Sequence, residues 1–336
     1  MRYRENESGL HILEIEITNR CNLSCSHCYV DNGQCRDMDK KTILQVIEES
    51  NRMGINRLVL TGGEPLMHDN LFETANYAKA LGIPEIVLLT NGILINPNNA
   101  ADLKAFDLVQ LSLDYSPSTA ITMRKDYLDT LLTKINLLKA NKIKPLLFTT
   151  VYKSLLPFLD EIISLAHSLE VNIAFNKLVP VKASLNDECL SQEEYYQLLR
   201  DLVHYQKEGY QVQCSDPLMF LVDEENMHSM EERLSCRIAG GCTAGVAALY
   251  INASGDIYPC PFLNIASGNV YLDSLEDIWN SSSILAQLRK RKEFSGECGD
   301  CKYIYHCGGC RAASYRKYGN LISSDPNCFL NNKLSG

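Results

Sequence analysis

Apolar residues recur along the first half of the chain in two alternating periods. Residues 11–18 (HILEIEIT) alternate apolar and polar, as a strand with one covered face does. From Asp39 and Lys40 onward, Ile43, Val46, Ile47 and Met53 share one helical face. Residues 57–60 form a short apolar strand that ends at Thr61-Gly62-Gly63-Glu64-Pro65. Residues 72–81 read as a helix, and residues 85–90 as a strand closed by Asn91-Gly92. Another strand spans residues 108–113, and Leu128, Leu131, Leu132, Ile135 and Leu138 follow at helical spacing. Residues 145–151 read as strand, 156–169 as helix and 171–175 as strand. Six short strands alternating with helices predict a parallel sheet with helices outside. Six units are too few for the closed eight-stranded barrel. The expected fold is therefore α/β, an open partial (β/α)6 TIM-like barrel over residues 1–215. Residues 177–235 read as mostly helical and charged, with 216–235 a bridge.

Chemistry in such a fold sits at the C-terminal ends of strands, and each unusual motif lies at one. Gly62-Gly63 or Asn91-Gly92 alone means only a turn that needs glycine; their shared placement makes them a candidate site. After the first strand comes Cys21-Asn22-Leu23-Ser24-Cys25-Ser26-His27-Cys28, spaced C-x3-C-x2-C. Three thiolates in so short a stretch suit zinc, Cu(I) or an iron–sulfur cluster. Structural zinc closes its shell with four ligands, and the next cysteine is Cys35. A zinc loop with a distant fourth ligand is one reading. A cubane with one iron left open is the other.

Bulk properties narrow the field. The chain has 336 residues, 46% hydrophobic and 22% charged, which suggests about two globular domains. No apolar run approaches the roughly 20 residues of a membrane span, and residues 1–9 are polar with no signal peptide. These features predict a cytoplasmic protein, where disulfides are rare, so the 14 cysteines read as metal ligands. Net charge is −9, and the run Arg289-Lys290-Arg291-Lys292 is too short for a nucleic-acid footprint. Neither nucleic acid nor membrane is expected as a partner.

The cysteine loop, with aromatic His27 before its last cysteine, resembles the signature of the radical S-adenosylmethionine (SAM) superfamily. That resemblance implies a [4Fe–4S] cluster on Cys21, Cys25 and Cys28. Its open iron would bind SAM, which is cleaved to a 5′-deoxyadenosyl radical. It also implies SAM contacts: Gly62, Gly63, Glu64 and Pro65 for the amino group, Ser112 and Asp114 for the ribose, Asn91 for the methionine moiety and the His27 backbone for the adenine. A glycine is expected there because a Cβ would hold the ligand away.

From Cys236 the composition changes. Eight of the 14 cysteines follow: Cys236, Cys242, Cys260, Cys298, Cys301, Cys307, Cys310 and Cys328, with glycines crowded among them. Cys298-x2-Cys301-x5-Cys307-x2-Cys310 by itself fits a zinc ribbon. Eight thiolates behind such a loop resemble the SPASM extension of the superfamily, whose G-x4-C is present from Gly255 to Cys260. This implies a small cysteine-rich domain over residues 236–336 with two auxiliary [4Fe–4S] clusters. Cys236, Cys242, Cys260 and Cys310 would hold one, and Cys298, Cys301, Cys307 and Cys328 the other. The spacing Cys307-Gly308-Gly309-Cys310 departs from the usual C-x3-C and resembles the peptide- and tetrapyrrole-modifying branches. Cys35, Cys189 and Cys214 are left without a role.

The resemblance implies hydrogen-atom abstraction, with the auxiliary clusters taking the surplus electron. Sulfatase maturases of this type use an Asp directly after the G-x4-C cysteine as base. Here that position is Pro261, followed by Phe262, so that reaction is not expected. The preferred expectation is oxidative modification or crosslinking of a ribosomally made peptide, through a C–S or C–C bond. A separate leader-recognition protein would be needed, or the bridge region would have to serve, since only about ten residues precede the first strand. Flavodoxin or ferredoxin would supply electrons. Tetrapyrrole side-chain modification is the alternative. An electron-transfer or zinc-binding module is the non-enzymatic one, and it has no use for residues 62–65.

Overall fold

The computed structural model describes residues 9–30, 33–113, 125–222 and 241–330, and the side chains of all of these but 125–128. The six expected strands form as β1 (Ile12–Thr18), β2 (Arg57–Gly62), β3 (Glu85–Thr90), β4 (Leu108–Ser112), β5 (Lys144–Val151) and β6 (Asn172–Lys177). They pair in chain order and all run parallel. Between them run α1 (Lys40–Arg52), α2 (Leu71–Ala80), α3 (Lys125–Ala140) and α4 (Leu159–Ser168). Asp39 starts α1 by accepting the Thr42 N–H on its side chain, which satisfies one of the free donors of a helix start.

Alternation along the strands sorts their side chains to two faces. Leu13, Ile15 and Ile17 on β1, Leu58 and Leu60 on β2, and Ile86 and Leu88 on β3 are fully buried with Ile43 and Ile47 of α1 in one core. Register carries these rows across the sheet, Leu13 beside Leu58 and Leu58 beside Ile86. The opposite positions turn to the concave interior: Glu14 beside Val59, Leu89 beside Gln110, Ser112 beside Phe148 and Thr150 beside Asn176.

Two features were not expected from the sequence. A seventh strand, β7 (Val212–Cys214), follows α5 (Gln192–Lys207) and pairs parallel to β6. Three residues carry no readable period, which is why the segment read as helical. Ser191 and Glu194 cap α5 reciprocally. The cysteine-rich part is joined to the barrel: β8 (Ala248–Ile251) pairs parallel with β1, and β9 (Asp256–Tyr258) and β10 (Gly268–Asn269) extend it antiparallel. One sheet of ten strands results, ordered β10-β9-β8-β1-β2-β3-β4-β5-β6-β7. Helices α6 (Leu275–Ser281), α7 (Ser283–Arg289) and α8 (Arg311–Tyr318) complete the C-terminal part. The Leu275 N–H, which donates to Glu49 of α1 at 2.8 Å, adds a second tie.

Candidate active site

β1 hands the chain directly to the cysteine loop, where Cys21, Cys25 and Cys28 are half-buried at the C-terminal rim. The loop's stem is clamped by the β2 turn: Gly63 N–H donates to the Thr18 carbonyl and Glu64 N–H to the Arg20 carbonyl, each at 2.8 Å. A Cβ on Gly62 would stand 2.3 Å from the Thr18 oxygen, and one on Gly63 2.4 Å from the Arg20 oxygen. Both glycines are thus demanded by the backbone of the cysteine stem itself, a nearer cause than room for a ligand.

Glu64 has no exposed surface. Its carboxylate accepts from Thr90 Oγ1 at 2.7 Å, Asn91 N–H at 2.9 Å and Leu66 N–H at 3.0 Å, the last closing a 3-10 turn at Pro65–Met67. Burial raises its pKa while these three hydrogen bonds oppose the rise. The clamp fixes the end of β3 against the end of β2. Asn91 then reaches back to the cysteine loop, donating Nδ2 to Asn22 Oδ1 at 2.8 Å, with Cys21 Sγ at 4.0 Å. The His27 ring stacks on Tyr152, just beyond β5, with centroids 6.2 Å apart. Ser112 ends β4, half-buried and turned inward. Asp114 lies outside the described residues.

Inside the barrel stand two carboxylates that the sequence reading left as the polar face of a strand. Glu16 is 4% exposed. It accepts from the Tyr250 hydroxyl and, at 3.1 Å, from Ala253 N–H. Glu14 is partly exposed to the interior and accepts from the Tyr29 hydroxyl at 3.3 Å. Burial lifts its pKa to about 7, against the Tyr29 hydrogen bond and with help from Glu16. Tyr29, the residue after Cys28, lies edge-on to Phe262 and Tyr250, with centroids at 5.2 and 5.9 Å. The cysteine loop and the Cys260 loop are therefore packed together through one aromatic cluster.

The C-terminal cysteines fall into two neighbourhoods, traced by the fields they exert on one another. Burial pushes the Cys260 thiol up, and Cys310 and Cys242 add to it. Cys310 is pushed up to about 12 by burial, with Lys177 opposing and Asp325 and Cys242 adding. Cys301, Cys307 and Cys328 are each raised by burial, and each also by Cys298. Cys242, Cys260 and Cys310 thus stand together, as do Cys298, Cys301, Cys307 and Cys328; Cys236 lies outside the described residues.

The donor set suits iron–sulfur chemistry. Backbone N–H groups point at Cys21, Cys260, Cys307 and Cys310 sulfurs at 3.3–3.5 Å, and Arg311 Nη2 lies 3.8 Å from Cys298 Sγ. Hydrogen-bond donors aimed at cysteine sulfur are a usual feature of the surroundings of an iron–sulfur cluster. Among the described residues, no three His, Cys, Asp or Glu side chains close around a single ion position.

Comparison with known proteins gives this arrangement its class. The Radical SAM superfamily model matches residues 15–156, and the SPASM iron–sulfur cluster-binding domain model matches residues 242–302. The chain carries a radical SAM domain followed by a SPASM domain, the domain pair of an enzyme that works with SAM and iron–sulfur clusters. The AdoMet-dependent heme synthase of Methanosarcina barkeri is 28% identical over 335 residues, covering 93% of this chain and 94% of that protein. The mycofactocin maturase MftC of Mycobacterium tuberculosis is 29% identical over 334 residues, covering 93% of this chain and 81% of that protein. The fold matches Streptococcus suis SuiB bound to S-adenosylmethionine with a TM-score of 0.74 at 18% identity, over 96% of this chain and 78% of that one. Among the described residues no helix is long and apolar enough to cross a membrane.

Proposed function

We propose that this enzyme oxidatively modifies a peptide, closing a C–S or C–C bond within it. Cys21, Cys25 and Cys28 would hold the SAM-binding cluster. The two auxiliary clusters would take Cys236, Cys242, Cys260 and Cys310, and Cys298, Cys301, Cys307 and Cys328. SAM bound at the first cluster supplies the 5′-deoxyadenosyl radical that takes a hydrogen atom from the substrate. The chain's own part is to hold the substrate carbon at the barrel rim and keep water away.

The observation that carries the peptide reading is the character of the interior. The half-buried inward positions Leu89, Gln110, Ser112, Phe148, Thr150 and Asn176 offer amides, hydroxyls and apolar surface, and the charges beside them are the carboxylates Glu14 and Glu16. Side-chain amides and hydroxyls pair well with a peptide backbone. A tetrapyrrole with several propionates would bring like charge to Glu14 and Glu16, with Lys182, whose charge acts on Cys28, as the cation at the cysteine loop. The fold neighbour SuiB has also been solved bound to its precursor peptide SuiA.

Tetrapyrrole modification is the second reading, favoured by the heme synthase relatives that align over nearly the whole chain. Anaerobic incubation with SAM and reduced flavodoxin or ferredoxin separates the two. The substrates are short peptides encoded beside this gene and, separately, iron coproporphyrin, read by mass spectrometry. The peptide is expected to lose two hydrogens, about 2 Da by bond counting. Loss of CO2 from the porphyrin with every peptide unchanged overturns the proposal.

A further inference from the structure

We propose that Glu14 is the proton acceptor of this barrel, its free Oε2 taking the proton of a substrate cysteine thiol as the new C–S bond closes. This rests on the peptide reading above. Three carboxylates are sequestered near the rim, and their partners distinguish them. Glu64 is committed to three donors, and both oxygens of Glu16 are taken by Tyr250 and Ala253. Glu14 gives one oxygen to Tyr29, and its Oε2 has no hydrogen-bond partner among the described residues while the residue stays partly open to the interior. Tyr29 follows Cys28 directly, so the hydroxyl that holds Glu14 comes from the cysteine loop itself.

The proton transfer itself is redox-neutral, and the one electron left over when sulfur closes onto the substrate carbon radical would pass to an auxiliary iron–sulfur cluster, the oxidant of the step. The S–H bond breaks with its electron pair left on sulfur, and an O–H bond forms on Glu14. Thiol plus carboxylate becomes thiolate plus carboxylic acid, and the acid returns its proton to solvent after product leaves. The environment suits the exchange. Burial holds Glu14 near 7, with Tyr29 opposing and Glu16 adding. Beside it on the sheet stand Tyr250 from β8 and Val59 from β2, and its charge reaches Cys260 beyond β9. Transfer from a thiol of ordinary pKa about 8.5 is then uphill by roughly 30-fold, against roughly 10⁴-fold for a carboxyl at its ordinary value. A base whose pKa lies near the working pH is the efficient one.

The test compares reconstituted native enzyme with Glu14→Gln, using a cysteine-containing peptide encoded beside this gene as probe, from about pH 6 to about pH 9. Crosslinked peptide is expected to fall roughly 10²- to 10⁴-fold in Glu14→Gln. 5′-Deoxyadenosine should continue to form, because hydrogen abstraction precedes the proton step. The native yield is expected to rise with pH through a limb that Glu14→Gln lacks. Crosslinking by Glu14→Gln at the native rate and with the native pH profile overturns the assignment and leaves the peptide reading standing. Native enzyme that cleaves SAM but changes no peptide overturns both. Where Glu14→Gln loses its iron, Glu14→Asp decides. Crosslinking with a rising limb supports the role, and pH-independent crosslinking overturns it.

Discussion

Lys177, at the end of β6, lies with its Nζ 3.4 Å from Oδ2 of Asp325, three residues before Cys328. The same Asp325 oxygen accepts the Cys310 N–H at 2.6 Å, and Asp216 holds Nζ from the other side at 3.3 Å. The ammonium also sits 4.7 Å above the Tyr195 ring. A barrel strand is thereby locked to the loops of both C-terminal cysteine sets. Burial alone would pull the Lys177 pKa down; Asp216 and Asp325 outweigh it and hold it far above the ordinary value. The stability this lends is present below the unfolded lysine value and is lost only as pH rises through the raised one.

Replacing Lys177 by Met leaves two carboxylates buried without their cation. The expected cost is about 3–5 kcal/mol, read as a lowered Tm with iron lost from the C-terminal sets. An unchanged Tm in Lys177→Met would show that the contact is incidental.

Gly63→Ala tests the clamp on the cysteine stem. The new methyl meets backbone oxygens of Arg20 and Asn19 at 2.4 and 2.6 Å, which side-chain rotation cannot relieve. We expect a loss of about 1–3 kcal/mol and fewer iron atoms per chain at the Cys21–Cys25–Cys28 site. Full iron loading with native SAM affinity in Gly63→Ala would mean that the stem tolerates displacement.

Glu14 should also be visible in the pH dependence of stability. A carboxyl raised from an unfolded value of 4.5 to about 7 binds its proton more tightly in the folded chain. The stability it contributes is complete below about 4.5 and is lost as pH rises through about 7, at most about 3 kcal/mol. Glu14→Gln is therefore expected to be more stable than the native chain at pH 8 and nearly equal at pH 4.5. Denaturant unfolding at the two pH values measures this. An equal offset at both would remove Glu14 as the titrating group.

Much of this was legible beforehand because the physics was local. Residues 57–60 and 85–90 announce strands through apolar runs cut off by Gly62-Gly63 and Asn91-Gly92, and the cysteine spacing announces its ligand chemistry. What escaped the sequence is what closure of the sheet creates. Glu14 and Glu16 alternate with Leu13, Ile15 and Ile17 as the solvent face of any half-buried strand would. Only the curvature of the barrel and the pairing of β8 with β1 turn that face inward. The short strands β7 and β10 derive from their partners, not from any period of their own. The glycines at 62 and 63 stand out in the sequence, but the atoms that exclude a side chain there belong to Thr18, Asn19 and Arg20, which no local pattern announces.

The division of the C-terminal cysteines predicts separable metal contents. Anaerobic reconstitution of three four-iron clusters should load about 12 iron per chain. Cys298→Ala combined with Cys307→Ala should remove about four of them, because both belong to the set proposed above with Cys301 and Cys328. The spectrum of the cluster that cleaves SAM should persist. Stoichiometric zinc in the C-terminal part after anaerobic purification contradicts the assignment.

The most direct test of the central claim is where the hydrogen atom comes from. Native enzyme is given SAM, reductant and a peptide encoded beside this gene, deuterated at its carbon-bound positions, and the 5′-deoxyadenosine formed is weighed. We expect one deuterium in it, together with a peptide lighter by the two hydrogens it has lost. Unlabelled 5′-deoxyadenosine from the deuterated peptide, with label arriving instead from a deuterated iron coproporphyrin, would contradict the account.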